Sequence, residues 1–183
     1  AIAKIAGIKL CENYYRQYGC NFYSVMPTNM YGPKDNFDLN TSHVLPALIR
    51  KFHDAKEKNK SEVAIWGSGN PLREFLFVED LADAILFLLE KVDAKDLYEQ
   101  GISHLNIGTG KDLTINELAK LIGEIIGFKG KIIHDSSKPD GTPRKLLDVS
   151  RLNSLGWKYK TELRDGIEKT YEHFKKKKSW VEK

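Results

Sequence analysis

Short apolar runs alternate with amphipathic helix patterns along this whole sequence, and that alternation restricts the fold more than any other feature. Phe22 to Met26, Glu62 to Trp66, Leu72 to Val78, Ser103 to Ile107 and Lys131 to His134 read as strands. Helix patterns stand between them: Ala1 to Tyr18, stopped by Gly19; Thr41 or Ser42 to about Asn59, with Pro46 in its first turn; and Asp80 to Val92, with Leu81, Ala84, Ile85, Leu88 and Leu89 on one face. Thr114 and Glu117 form a capping box ahead of Ile115, Leu118, Leu121, Ile122 and Ile125. A short helix after Ser150 and an amphipathic one over roughly Glu162 to Lys175 follow. Strands and helices alternating at this spacing predict an α/β fold with largely parallel strands.

Within that frame the stretch Pro27 to Lys51 is the natural place for a ligand. A strand runs into a Pro-Thr-Asn bend, a polar loop follows, and a fresh helix begins. Open α/β sheets bind ligands at such strand exits and helix N-termini. His43 is expected in the first helical turn, where the helix dipole disfavours a protonated ring. Two glycine motifs offer no cofactor loop. Gly108-Thr109-Gly110 lacks the third glycine of a dinucleotide fingerprint, and Lys111-Asp112 does not complete a P-loop. Gly67-Ser68-Gly69 lies between two strands, with no helix behind it to hold a phosphate. Both read as turns.

Composition narrows the function classes. With 183 residues, 41% hydrophobic and 30% charged, the chain reads as soluble and globular, with one to two domains. No apolar run approaches the roughly 18 residues that span a bilayer, and no signal-peptide pattern opens it, so no membrane partner is expected. The two cysteines, Cys11 and Cys20, form no CxxC pair and read as reduced, buried thiols of a cytoplasmic protein. The net charge of +4 owes much to the run Lys175 to Lys178, read as a solvated helix end. No basic stripe interleaves with aromatics, so no nucleic acid is expected, and nothing in the pattern calls for a metal. The first helix is apolar on more than one face, through Ile2, Ile5, Ile8 and Leu10. It is expected to be buried against its own sheet and against a second subunit, as a homodimer. Its pattern begins without a cap, as though inside a larger protein, although an Ala start also fits removal of an initiator Met.

Several segments together resemble a known family. AIAK is similar to the tail of the Tyr-x-x-x-Lys motif of extended short-chain dehydrogenase/reductases, with Lys4 at the lysine position. PTNMYGP and LNIGTG are shared widely among the family's sugar-nucleotide epimerases and dehydratases. SHVLPALIRKF, WGSG followed by PLREF, and KPDGTPRKLLD are more specific, and they resemble the branch that makes GDP-L-fucose. The resemblance covers essentially the whole chain. It implies the C-terminal part of such a protein: the end of a Rossmann sheet with an interleaved substrate segment over 1–60, and a smaller α/β domain, mainly GDP-sugar binding, over 61–183. It further implies 3,5-epimerisation and NADPH-dependent 4-reduction of GDP-4-keto-6-deoxy-D-mannose, with NADP(H) as cofactor.

Site residues follow from the same resemblance, position by position. Lys4 would hydrogen-bond the nicotinamide ribose and lower the pKa of the family's tyrosine, as a nearby cation should. Pro27, Thr28, Asn29 and Met30 would line the nicotinamide end of the cofactor site. His43, also close to the cofactor, matches the general acid of the epimerisations, whose proton exchange α to a ketone suits histidine. Lys51, Trp66, Arg73 and Asp140 match positions that hold the GDP-sugar, and Arg144 is a further candidate phosphate contact. The chemistry of the side chains agrees: two cations for a diphosphate, an aromatic surface, and an acceptor. Taken alone, Lys51 is a solvated helix lysine, Trp66 a core residue at a strand end, and Asp140 a turn residue. Arg73, in a strand next to Glu74 and among apolar residues, calls for an anion.

The family's catalytic tyrosine, serine and cysteine and its glycine-rich NADP loop belong to a segment preceding these residues, and neither Cys11 nor Cys20 fits the cysteine's position. These 183 residues alone are therefore expected to be inactive. Two alternatives remain at this stage. One is another nucleotide-sugar epimerase or dehydratase of the family; the other is a non-catalytic module for sugar-nucleotide binding or dimerisation.

Overall fold

The computed structural model describes residues 1–181, with side chains through Lys176. The side chains of Lys177 and Lys178, in the lysine run, lie outside the described residues. Among the described residues there are seven helices and eight strands, and the elements expected from the sequence appear among them in the expected order. Strand β1 (Ser24–Pro27) pairs in parallel with β5 (His104–Ile107), β2 (Asn29–Tyr31) with β4 (Leu72–Phe77), and β3 (Glu62–Trp66) with β7 (Lys131–Asp135). β4 also takes β6 (Asp112–Thr114) antiparallel and β8 (Arg144–Lys145) parallel. The helices are α1 (Ile2–Tyr18), α2 (Val44–Glu57), α3 (Val78–Lys91), α4 (Ala94–Tyr98), α5 (Ile115–Ile126), α6 (Ser150–Ser154) and α7 (Leu163–Val181).

Two hydrophobic cores share β4. Phe75 and Phe77 enter the first core, with Leu45, Ile49 and Phe52 of α2, Val63 and Ile65 of β3, Leu118 and Ile122 of α5, and Ile167 and Phe174 of α7. Leu76 enters the second, with Ala84 and Leu88 of α3, Leu105 and Ile107 of β5, Leu152 and Trp157. The two-residue alternation of a strand is what lets one segment serve both faces. Each core draws residues from both sides of position 60. The Thr114–Glu117 capping box forms as expected, with each side chain accepting from the other's backbone N–H.

Several expectations are corrected. α1 buries no residue fully: Ile2 is 83% exposed and Ile5 60%, while Ile8 is half-buried and Tyr15 meets Tyr98, so only part of its apolar surface is uncovered within this chain. The first strand is shifted, with Phe22 exposed, and the anticipated Pro-Thr-Asn bend is a change of sheet partner. Thr28 N–H donates to Ile107 O at 2.9 Å, ending the register with β5. The Thr28 and Asn29 side chains then donate to Glu74 O at 3.3 and 2.7 Å, and the chain continues as β2 beside β4. The 67–71 turn joins β3 and β4 across two different sheets. On α3, Ile85 and Leu89 are exposed while Ala84 and Leu88 are buried. Both cysteines are free and half-buried rather than buried. The short elements α4, β6 and β8 carry too little periodicity to stand out in the sequence. Among the described residues, no helix is long and apolar enough to cross a membrane.

Candidate functional site

A cavity of about 350 Å³ opens between the N-terminus of α2, the end of β3 and the segment after β7. Its lining includes His43, Lys51, Trp66, Arg73 and Asp140, five side chains spread over almost a hundred positions of sequence.

The loop before α2 is built by Asp38. Its carboxylate accepts from Asn40 N–H, Thr41 N–H and the Thr41 hydroxyl, each at 3.0 Å, and its carbonyl accepts from Ser42 N–H at 2.9 Å. These bonds, the Thr41 hydroxyl's first, hold the Asp38 carboxyl below its ordinary value. They also occupy Thr41 and Ser42 in a turn, so α2 begins at Val44 rather than at either. His43 is thus the N-cap, with φ −72° and ψ 167°, and not a first-turn residue. Its ring makes no capping hydrogen bond and lies exposed at the cavity. Pro46, third in the helix, supplies no N–H where none is needed.

Lys51 lies two turns further along the same helix. Its ammonium donates to Ala64 O at 3.0 Å and stands 5.1 Å from the centroid of the Trp66 ring. Loss of surrounding water lowers its pKa below the ordinary 10.5, with the charge of Asp135 opposing. Trp66 is 57% exposed, which corrects its reading as core. Lys138 approaches the same ring at 5.5 Å, so two ammonium groups flank one aromatic surface.

Asp140 accepts from Ser68 N–H at 2.8 Å and from the Ser68 hydroxyl at 2.7 Å, and these bonds lower its pKa. It therefore pins the Gly67–Asn70 turn against the cavity. Gly67 has φ +69°, and a β-carbon there would collide with this carboxylate, so the turn requires glycine twice over. Arg73 is half-buried, and its Nη1 donates to Leu72 O at 2.7 Å. The neighbouring carboxylate, Glu74, is fully buried and bonded to backbone amides elsewhere, so it does not neutralise the guanidinium.

The other anticipated residues lie apart from this cavity. Lys4 is exposed on α1, and Pro27 to Met30 run off the end of β1 towards β2. Arg144 is held by Asp112 at 2.6 and 3.3 Å and does not line the cavity. Lys138 and Glu74 escaped the sequence reading. Lys138 could have been found from its place beside Pro139-Asp140, but Glu74 carries no pattern that marks it as buried.

Two cations, an exposed indole, an imidazole and an engaged carboxylate make a receptor for a doubly charged anion bearing a flat ring. Comparisons with known proteins show which family the chain resembles. Residues 1–108 match the NAD dependent epimerase/dehydratase family. The chain is 54% identical over 178 residues to the GDP-L-fucose synthase of Escherichia coli strain K12, covering 95% of this chain and 55% of that protein. It is 56% identical over 176 residues to GDP-L-fucose synthase 1 of Arabidopsis thaliana, covering 96% and 52%. A solved GDP-L-fucose synthetase from Naegleria fowleri bound to NADP superposes with a TM-score of 0.86 at 28% identity, over 97% of this chain and 56% of that one. The chain spans about half the length of the curated relatives it matches.

Proposed function

The chain belongs to the NAD dependent epimerase/dehydratase family, and from that membership we propose that the protein makes GDP-L-fucose from GDP-4-keto-6-deoxy-D-mannose. The observation that carries this function is the convergence of His43, Lys51, Trp66, Arg73 and Asp140 on one cavity. Lys51 and Arg73 neutralise the diphosphate, Trp66 supports a flat part of the ligand, and Asp140 both fixes the Gly67–Asn70 turn and accepts from the sugar or base. His43 is the general acid at C3 and C5, returning a proton to the face opposite the one from which a base, the family's cysteine, removes it. Each of those carbons is α to the C4 ketone, so losing its proton leaves an enolate, and protonation on the opposite face inverts the centre. An exposed imidazole at a cavity mouth can give and regain that proton through solvent.

Lys4 and the Pro27–Met30 segment hold the nicotinamide end of NADPH. Met26, near the end of β1, and Met30, in β2, are 37% and 43% exposed, and two apolar side chains where the chain leaves a parallel strand suit a nicotinamide ring. NADPH, when bound, supplies the hydride that reduces the C4 ketone. Residues 1–60 contribute to the cofactor side and 61–183 mainly to the GDP-sugar side. A second copy covers α1, whose exposed Ile2, Ile5 and Leu10 would form a homodimer contact, in a cytoplasmic protein.

The test is conversion of GDP-4-keto-6-deoxy-D-mannose in D2O with NADPH by the full-length enzyme that carries these residues, since residues 1–183 alone are expected to be inactive. The expected product is GDP-L-fucose carrying deuterium at C3 and C5, and His43→Gln should abolish that label while leaving GDP binding intact. Full labelling by the His43→Gln protein would remove the role given to His43. A preference for UDP-sugars would replace the whole assignment with another member of the family.

A further inference from the structure

The Gly108-Thr109-Gly110 turn closes on an anion after all, and that anion is internal. Glu74 is completely buried, at 0% exposure. Its Oε1 accepts from Thr109 N–H at 2.6 Å and Gly110 N–H at 2.8 Å, and its Oε2 accepts from Leu147 N–H at 3.0 Å. A β-carbon on Gly108 would overlap the carboxylate, so the glycine lets the loop wrap it. A strand-to-loop turn that resembles a phosphate cradle spends its amides on a side chain of the neighbouring strand.

Three parts of the proposed site meet at this residue. The carbonyl of Glu74 accepts from Asn29 Nδ2 and the Thr28 hydroxyl, on the proposed nicotinamide side. Arg73, one position earlier in β4, lines the cavity. Leu147 ends the segment that contains β8, which pairs with Leu72 and Arg73, and that also supplies Pro139, Asp140 and Gly141 to the cavity wall. Gly141 packs so near Arg73 that an added β-carbon would lie 3.0 Å from Nη2. An apolar side chain would fill the position without the cost of desolvating a carboxylate. The carboxylate instead fixes three amides from two separate loops.

We propose that Glu74 is a positioning residue for ligand binding, holding the Asp140 wall, Arg73 and the Thr28–Asn29 segment in one arrangement. The inference rests on the cavity's taking a GDP-sugar. Glu74→Gln is the test, since an amide offers one oxygen and one NH2 to three N–H donors and must set donor against donor. GDP is titrated into the wild type, the Gln variant and Leu88→Ala, a packing control in the second core, with amide hydrogen exchange measured on each.

The expected result is a loss of about ten-fold or more in GDP affinity for Glu74→Gln. Faster exchange should appear at 109–110 and 147 and spread to 140–141 and 28–31, while Leu88→Ala keeps its affinity at a comparable loss of Tm. Unchanged affinity in the Gln variant, or an equal loss in the control, would overturn the proposal. Should Glu74→Gln not fold, Gly108→Ala attacks the same contact from the loop side and leaves the charge in place. Failure of the wild type to bind GDP would refute the cavity assignment instead. Exchange then decides the role of Glu74: spread to 140–141 and 28–31 upholds it, and confinement to 109–110 and 147 overturns it.

Discussion

Replacing Lys51 tests the electrostatics of the cavity in both directions. In the free protein its ammonium is half-buried, donates to Ala64 O at 3.0 Å and has a pKa lowered by desolvation. A lysine whose folded pKa lies below its unfolded value binds fewer protons in the folded state. Its charged form therefore costs stability at neutral pH, and the cost is relieved as pH rises through the lowered pKa towards 10.5. A bound diphosphate reverses that balance. Two unit charges about 4 Å apart at an effective dielectric of about 20 attract by about 4 kcal/mol before desolvation. A net charge-assisted hydrogen bond retains about 1.5–3 kcal/mol of this, or about 10- to 150-fold in affinity. Binding should then take up a proton in the alkaline range, and affinity should fall as pH passes the lowered pKa. Calorimetric titration of GDP from about pH 7 to the ordinary lysine value, in buffers of different ionisation enthalpy, reads both effects. Lys51→Met should weaken binding by the stated factor and flatten the alkaline fall. Lys51→Arg should keep most of the affinity and also flatten it, because guanidinium stays charged. A Met variant within two-fold of wild type, or an Arg variant that still loses affinity at the same pH, would refute the reasoning.

Trp66→Ala should leave Tm nearly unchanged, since the ring is 57% exposed, yet weaken GDP binding by about ten-fold; a large Tm loss with intact binding would return the residue to a packing role. Thr114→Ala should destabilise the fold by about 1 kcal/mol through loss of the capping box, read by urea unfolding, with GDP affinity unaffected. The Asp38 carboxyl, held low by the Thr41 hydroxyl and the amides of Asn40 and Thr41, stabilises the 38–42 turn above its unfolded value near 3.8. That support should be lost as pH falls through the depressed folded value, and amide exchange at 40–42 should show it; Asp38→Asn should remove this pH dependence.

The element order could be read from the sequence because helices of twelve or more residues and strands of four or five carry their own periodicity. Glu62–Trp66 and the capped helix at Thr114 are clear cases, each found where the pattern puts it. Errors fall where tertiary hydrogen bonds decide the local structure. Asn29–Tyr31 became a strand because Glu74 O draws the Thr28 and Asn29 side chains, and α2 started late because Asp38 holds Thr41 and Ser42 in a turn. The two cores cannot be separated from a linear pattern, since consecutive residues of β4 serve different ones. His43, Lys51, Trp66, Arg73 and Asp140 were identifiable by resemblance, and only folding gathers them around one cavity. The burial of Glu74 was hidden for a simple reason: nothing local to a glutamate in a strand reveals that three distant amides await it.

A crystal structure with GDP bound tests the central claim most directly. The cavity assignment predicts the diphosphate between Lys51 and Arg73 and a flat part of the ligand against Trp66. Nucleotide density at any other surface, with this cavity empty at saturating GDP, would contradict it.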